Sequence, residues 1–319
     1  MQRMKRVKGL DYANVIAMLA VVWFHVPSTV EAPIRHLEYI SVNIPFFLFS
    51  GYTFALAHKE QLGVRPFLMQ LGRSLLVPTC FFYVFFYLLW LLVGRQMAGD
   101  TEMWYVPLAE FAQGQFNVVL ATYWFIICLC VMNLIYYALS KSGARLLTAL
   151  VCGCLPMLLL LVPVPGEFRI REACAFIPFF AIGATCSHWH ESQSAYIEIL
   201  LCLLGLAAYC LVQERLALGS AYQWNEILSG LALCCVVCLL AKFLCRFSIL
   251  DGFAGTLRYG ALVLLATQNY IIGVVKGVAD ISNLAYKPLV IVLVYAITYP
   301  LILLIKNKMP FILGKNNRL

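Results

Sequence analysis

A chain of 319 residues that is 63% hydrophobic and only 12% charged, with a mean hydropathy of +0.86, is far from the half-apolar, quarter-charged balance of soluble domains, which excludes a soluble enzyme. Its net charge of +8 comes without a basic stripe of interleaved aromatics outside the apolar runs, which argues against a nucleic-acid partner. Apolar runs of about 20 residues instead mark an all-α, polytopic membrane bundle, because only helices and closed barrels satisfy the backbone in lipid.

Residues 1–8 are basic and precede an apolar run, as a signal peptide does. No small-residue cleavage site follows and nine more apolar runs do, so the first run is expected to stay as a span. The ten expected spans are 10–30, 40–57, 74–94, 118–139, 144–163, 174–188, 195–213, 225–244, 258–276 and 286–305. No loop is long enough for a soluble domain, so residues 1–319 form one transmembrane domain.

The first run, LDYANVIAMLAVVWFH, carries Asp11, Asn14 and His25 within roughly 60° of one another on a helix. Ionisable residues inside a span are costly and are usually kept for function. A rise of 1.5 Å per residue puts His25 about 21 Å beyond Asp11, so the two are not direct partners. In the second run, SVNIPFFLFSGYTFALA, Asn43 lies near one end and Ser50 follows on the same face. Ser50, Gly51 and Tyr52 make a small-polar break where glycine permits close helix approach. The third run opens with Gly72, Arg73 and Pro78 at its boundary. Arg73 is either an anchor or a phosphate or carboxylate ligand.

Between the third and fourth runs, Trp104 and Tyr105 have the character of interface aromatics. The fourth run begins at Tyr123, Trp124 and Phe125. The sixth is the weakest, being short and interrupted by Pro178, and a re-entrant path there would invert every later span. His188 and His190, with Glu191, sit in the loop that follows, but two His at this spacing without a third ligand make a poor metal site. Glu167, Arg169, Arg171 and Glu172 read as a local ion-pair network. The ninth run contains Thr267, Gln268 and Asn269 consecutively, and two adjacent carboxamides in an apolar helix need polar partners. Nearly all of the 13 Cys lie within apolar runs, where they serve as small packing residues rather than a disulfide framework.

With the N-terminus inside, the outer segments hold only Arg35, Arg95, Arg169, Arg171, Arg215, Lys276 and Lys287 of the 23 Lys and Arg. That bias predicts ten spans with both termini cytoplasmic. In that topology His25, Asn43, Tyr123, Trp124, Gln268 and Asn269 fall at compatible depths in the outer half, on different spans.

The ordered motifs LDYANVIAMLAVVWFH, VNIPFFLFSGYTF, GRSLLVP, YWFIICL and FFAIGA resemble those of the acyltransferase 3 family of integral membrane O-acyltransferases, especially its shorter acetylase-like members. The resemblance covers the first six spans well and the last four loosely. It implies transfer of an acyl group, usually acetyl, from cytoplasmic acyl-CoA to a hydroxyl of a saccharide or lipid-linked glycan, in a multi-pass protein of the inner (plasma) membrane. Acyl-CoA is then a substrate; no bound cofactor and no metal are implied. His25 matches the family's first-span histidine, Arg73 its basic residue before span three, Ser50, Gly51 and Tyr52 its SGY signature, and Trp124 its WFL tryptophan.

Independently of the resemblance, a hydroxyl nucleophile needs a base, and the unperturbed pKa of histidine suits that task. Asn43, Gln268, Asn269, Tyr123 and Trp124 are the expected acceptor or oxyanion contacts. Arg73, Asn14, Asp11, Ser50 and Tyr52 are expected on the donor side. The chain departs from the family pattern in having Asn14 in place of a basic residue, Asn43 in place of a span-two histidine, and no histidine near Gln268. Asn and Gln hydrogen-bond but are not bases at neutral pH. The departures fit a second reading, a catalytically altered relative that binds, senses or moves a small molecule or glycan. An unrelated transporter would show paired, interrupted halves, and none are visible.

Overall fold

Backbone groups in an apolar environment must be satisfied internally, and the described part of the chain meets this with helices alone, without a strand. The computed structural model describes residues 7–27, 41–95, 102–162, 164, 166–189, 194–216, 223–279 and 283–314. Its principal elements are α1 (Lys8–His25), α2 (Ile44–Leu56), α3 (Val64–Gly94), the short α4 (Val106–Ala112), α5 (Trp124–Ser140), α6 (Arg145–Leu161) and α7 (Ile170–Cys186). They continue with α8 (Ala195–Leu216), α9 (Trp224–Leu244), α10 (Asp251–Tyr259), α11 (Ala261–Val278) and α12 (Lys287–Lys308).

Contacts define two ends of the bundle. At one, Lys8 pairs with Asp251 and Asp11 with Arg258, joining the start of α1 to α10. At the other, His25 shares a cleft with Asn43, Trp124 and Leu265, and Lys287 at the start of α12 reaches Trp23. Lys306 and Thr256 bring the far end of α12 back to the Lys8 end.

Among the described residues, six helices are long and apolar enough to cross a membrane, against the ten spans expected. Two of the other four have a plain physical reason. The 13 residues of α2 cover about 20 Å at 1.5 Å per residue, short of a core of about 30 Å. The sixth expected span is α7, a continuous helix of 17 residues with Pro178 inside it and every residue from Ala173 to Thr185 buried. It packs against α2, α5, α6 and α8, so its surface faces protein and has no need of lipid-like side chains.

Glycines set the closest approach. A Cβ on Gly51 would stand 1.8 Å from the carbonyl oxygen of Phe180, and one on Gly183 would stand 1.9 Å from that of Leu48. The two glycines therefore press α2 and α7 backbone to backbone from both sides. Phe47 stacks on Phe176 at 4.8 Å next to this contact. Gly51→Ala is expected to destabilise the bundle by about 1–3 kcal/mol through overpacking, read as a lower melting temperature in detergent. Gly277→Ala, with open space around it, should show no loss.

In α3 a π-helical turn spans Gly72–Leu76, closed by the Val77 N–H bonding Gly72 O. Pro78 has no N–H to give Ser74 O, and a widened turn is one way a helix absorbs that gap. All 13 cysteines are unpaired thiols, and Cys128, Cys152 and Cys202 are completely buried. Arg169 and Glu172 form an ion pair at 3.0 Å, as the local charge pattern predicts. Trp104 and Tyr105 are exposed, and the segment carrying them is tied to α3 by hydrogen bonds from Tyr87 to Trp104 O and from Tyr83 to Pro107 O.

Candidate functional site

His25 is the last residue of α1. Its Nδ1 lies 2.8 Å from the Val21 carbonyl oxygen, one turn back. A carbonyl only accepts, so Nδ1 carries the proton and Nε2 of the neutral ring holds a lone pair. No described residue pairs with Nε2. The half-buried ring sits edge-on to Phe24 and lines a narrow cleft with Asn43, Phe46, Thr122, Trp124 and Leu265. The cleft offers about 30 Å³, room for a hydroxyl-bearing tip of the size of one or two waters.

Each wall of the cleft has a local cause. Asn43 precedes α2, which opens with Pro45 in its first turn, where the missing N–H costs nothing. Trp124 opens α5 after a turn of 3₁₀ helix over Ala121–Tyr123. Thr122 Oγ1 donates to Leu265 O at 2.7 Å and Tyr123 OH to Leu262 O at 2.8 Å, fastening that turn to α11.

Tyr123 is fully buried and its hydroxyl is engaged, so within this structure it acts as scaffold for Trp124. Gln268 lies three residues beyond Leu265, on nearly the same face of α11. It is completely buried, and neither its Oε1 nor its Nε2 has a hydrogen-bond partner among the described residues. Leaving such an amide unmet costs about 1–3 kcal/mol per group. Asn269 is half-buried on a neighbouring face, and the structure does not bring it to the cleft.

The residues expected on the donor side lie toward the Lys8 end and do not form one cluster. Asp11 is buried and ion-paired with Arg258. Asn14 Nδ2 donates to Leu10 O at 2.8 Å within its own helix. Tyr52 packs on a small apolar cluster that includes Leu10 and Tyr12, and Ser50, two residues earlier, is half-buried. Arg73 is exposed on the π turn of α3, with no ion-pair partner among the described residues. Gly314, at a φ of +66°, packs directly on its carbonyl.

A larger cavity of about 250 Å³ lies toward the Lys8 end, lined by Glu60, Arg145, Thr185, His188 and Glu198 among others. Glu198 is buried and accepts hydrogen bonds from Thr185 at 3.0 Å and Ser194 at 2.7 Å. None of the expected site residues lines it. His188 borders this cavity, while His190 and Glu191 lie outside the described residues; among those described, no three His, Cys, Asp or Glu side chains group to hold a metal.

Sequence reasoning missed Thr122, Arg258 and Lys287. In sequence Lys287 is one more cation of the outer segments, Arg258 one of the remaining cations on the inner side, and Thr122 carries no signal beside the aromatic pair. Only for Lys287 did the sequence hold a signal, in Pro27, which has no N–H to give the Trp23 carbonyl.

The model of the acyltransferase domain family matches residues 7–307. No curated protein and no solved structure matches the chain significantly. The family match runs from the start of α1 to the end of α12 and so takes in both the His25 cleft and the Arg73 turn, and the chain belongs to the acyltransferase 3 family of membrane acyltransferases.

Proposed function

We propose that the protein is an O-acyltransferase that moves an acyl group, acetyl in the simplest case, from cytoplasmic acyl-CoA to a hydroxyl of a saccharide or lipid-linked glycan. The observation that carries this reading is the contact of His25 Nδ1 with Val21 O at 2.8 Å, which leaves Nε2 for the cleft. A base placed there takes the proton of an acceptor hydroxyl as its oxygen attacks the thioester carbonyl. The C–S bond then breaks, CoA leaves as thiolate, and the proton held at Nε2 passes to the sulfur.

Gln268, buried without a partner among the described residues, and Asn43 in the cleft supply amide groups to orient the acceptor or support the oxyanion; Asn269 requires a rotation of its face to join them. Arg73 steers the donor phosphates from the cytoplasmic side. The reading places both termini in the cytoplasm, all ten apolar helices in the bilayer of the plasma membrane, and acyl transfer in its outer half. Alternating helix direction and the positive-inside bias support that orientation.

Membranes containing the protein, supplied with labelled acetyl-CoA and a panel of saccharide and glycolipid acceptors, should yield label in a base-labile ester. Glycan binding without incorporation across the panel would favour the reading of an altered relative that binds or senses. Arg73→Ala should raise the donor KM about 10- to 100-fold, the value of one charged hydrogen bond. An unchanged donor KM would move the donor site elsewhere.

A further inference from the structure

Lys287 opens α12 and is 1% exposed, an unusual place for an ammonium group. Its Nζ donates to the carbonyl oxygen of Trp23 at 3.3 Å and lies 5.1 Å over the Trp23 ring. The reason that carbonyl is available lies in the sequence of α1. In a continuing helix Trp23 O would accept from the N–H of residue 27, but residue 27 is proline and has none. The last helical bond there is Val26 N–H to Val22 O at 3.2 Å. Val26 itself has left the helix, at φ −74° and ψ 117°, the extended conformation that a following proline favours. Proline thus ends α1 and strands one carbonyl beside His25, and α12 sends a cation across the bundle to meet it. A positive charge at this helix terminus also complements the helix dipole.

We infer that Lys287 is a positioning residue for His25: by capping the last turn of α1, it holds the carbonyl ladder against which the imidazole is oriented. The His25 ring takes its direction from Val21 O, so loosening the final turn moves Nε2 relative to the cleft. A displacement of about 1 Å of a reacting group can cost about 100-fold in rate. The proposal rests on the reading of His25 as the base.

The test compares wild type with Lys287→Met and Lys287→Arg, using acyl transfer and amide hydrogen exchange over residues 20–27. Lys287→Met should speed exchange in that segment and lower kcat about 10- to 100-fold, with donor KM nearly unchanged. Lys287→Arg, which keeps a cationic donor, should retain slow exchange and most of kcat. Adding Pro27→Ala to Lys287→Met returns an N–H at residue 27, and recovery of slow exchange and rate is expected. Unchanged exchange in Lys287→Met overturns the inference, and so does faster exchange with unaltered kcat. His25→Ala assayed in parallel separates the two readings. Normal turnover by that variant removes the base assignment, while the exchange data still decide whether Lys287 caps the helix.

Discussion

Replacing His25 by alanine is expected to lower acyl transfer about 10²- to 10⁴-fold, the usual contribution of a general base, while the donor KM stays near that of wild type. The imidazole sits at the end of α1, in a cleft shaped for a hydroxyl-sized group, and no other described residue lining that cleft is a base near neutral pH. Asn43 is an amide and Thr122 has its hydroxyl on Leu265 O. His25→Asn is a sharper probe than alanine, because its carboxamide can keep a hydrogen bond to Val21 O yet has no basic lone pair. It should be as inactive as His25→Ala, and added imidazole should restore part of the alanine variant's rate. In wild type, activity should fall as pH is lowered and Nε2 takes up a proton, since Nδ1 already carries one and the imidazolium has no acceptor left. Wild-type turnover by His25→Asn would sink the assignment.

The second large effect concerns stability at the opposite end. Asp11 is buried at 2% exposure, and Arg258 is a cation paired with it. Removing one partner of a buried ion pair leaves an uncompensated charge, at about 3–5 kcal/mol. The Arg258 side chain is 31% exposed, so the lower part of that range is expected for Arg258→Met, which takes this cation from Asp11. Asp11→Leu should be milder, because the guanidinium left behind can turn to water. The double variant Asp11→Leu/Arg258→Met should recover most of the stability, because apolar replacements of a buried pair are often neutral. Melting temperatures in detergent check this, and simple additivity of the two losses would show that the groups are not coupled. The stable double variant then serves a second purpose: a rise in its donor KM would mean that Asp11 or Arg258 contacts the acyl donor as well as each other.

Much of this protein was legible from local pattern. Hydropathy over windows of a helix length marked the membrane bundle, because the price of a polar group in lipid acts residue by residue. His25 stood out for the same reason, as an ionisable side chain in an apolar rod. Ser50, Gly51 and Tyr52 were visible as a motif, and the two glycines, Gly51 and Gly183, turn out to meet across α2 and α7. The number of membrane-crossing helices was less legible. The short run 174–188, interrupted by Pro178, reads as a weak span, whereas among the described helices its helix is the one most enclosed by protein. Hydropathy measures suitability for lipid and carries no information about which helices are shielded from it.

What the sequence by itself determined is the class of the molecule, the family motifs and the histidine, since each depends on residues within a turn or two of one another. Only the tertiary structure decided who meets whom. It ties Tyr123 to Leu262, Asp11 to Arg258 and Trp23 to Lys287, pairs that no helical period relates. It leaves Gln268 sealed one turn from the cleft wall with no partner among the described residues, and it keeps Asn269 on another face. The physical reason is that a polar group in an apolar bundle must find a partner, but the sequence states only the need. Packing of helices far apart in the chain chooses the partner.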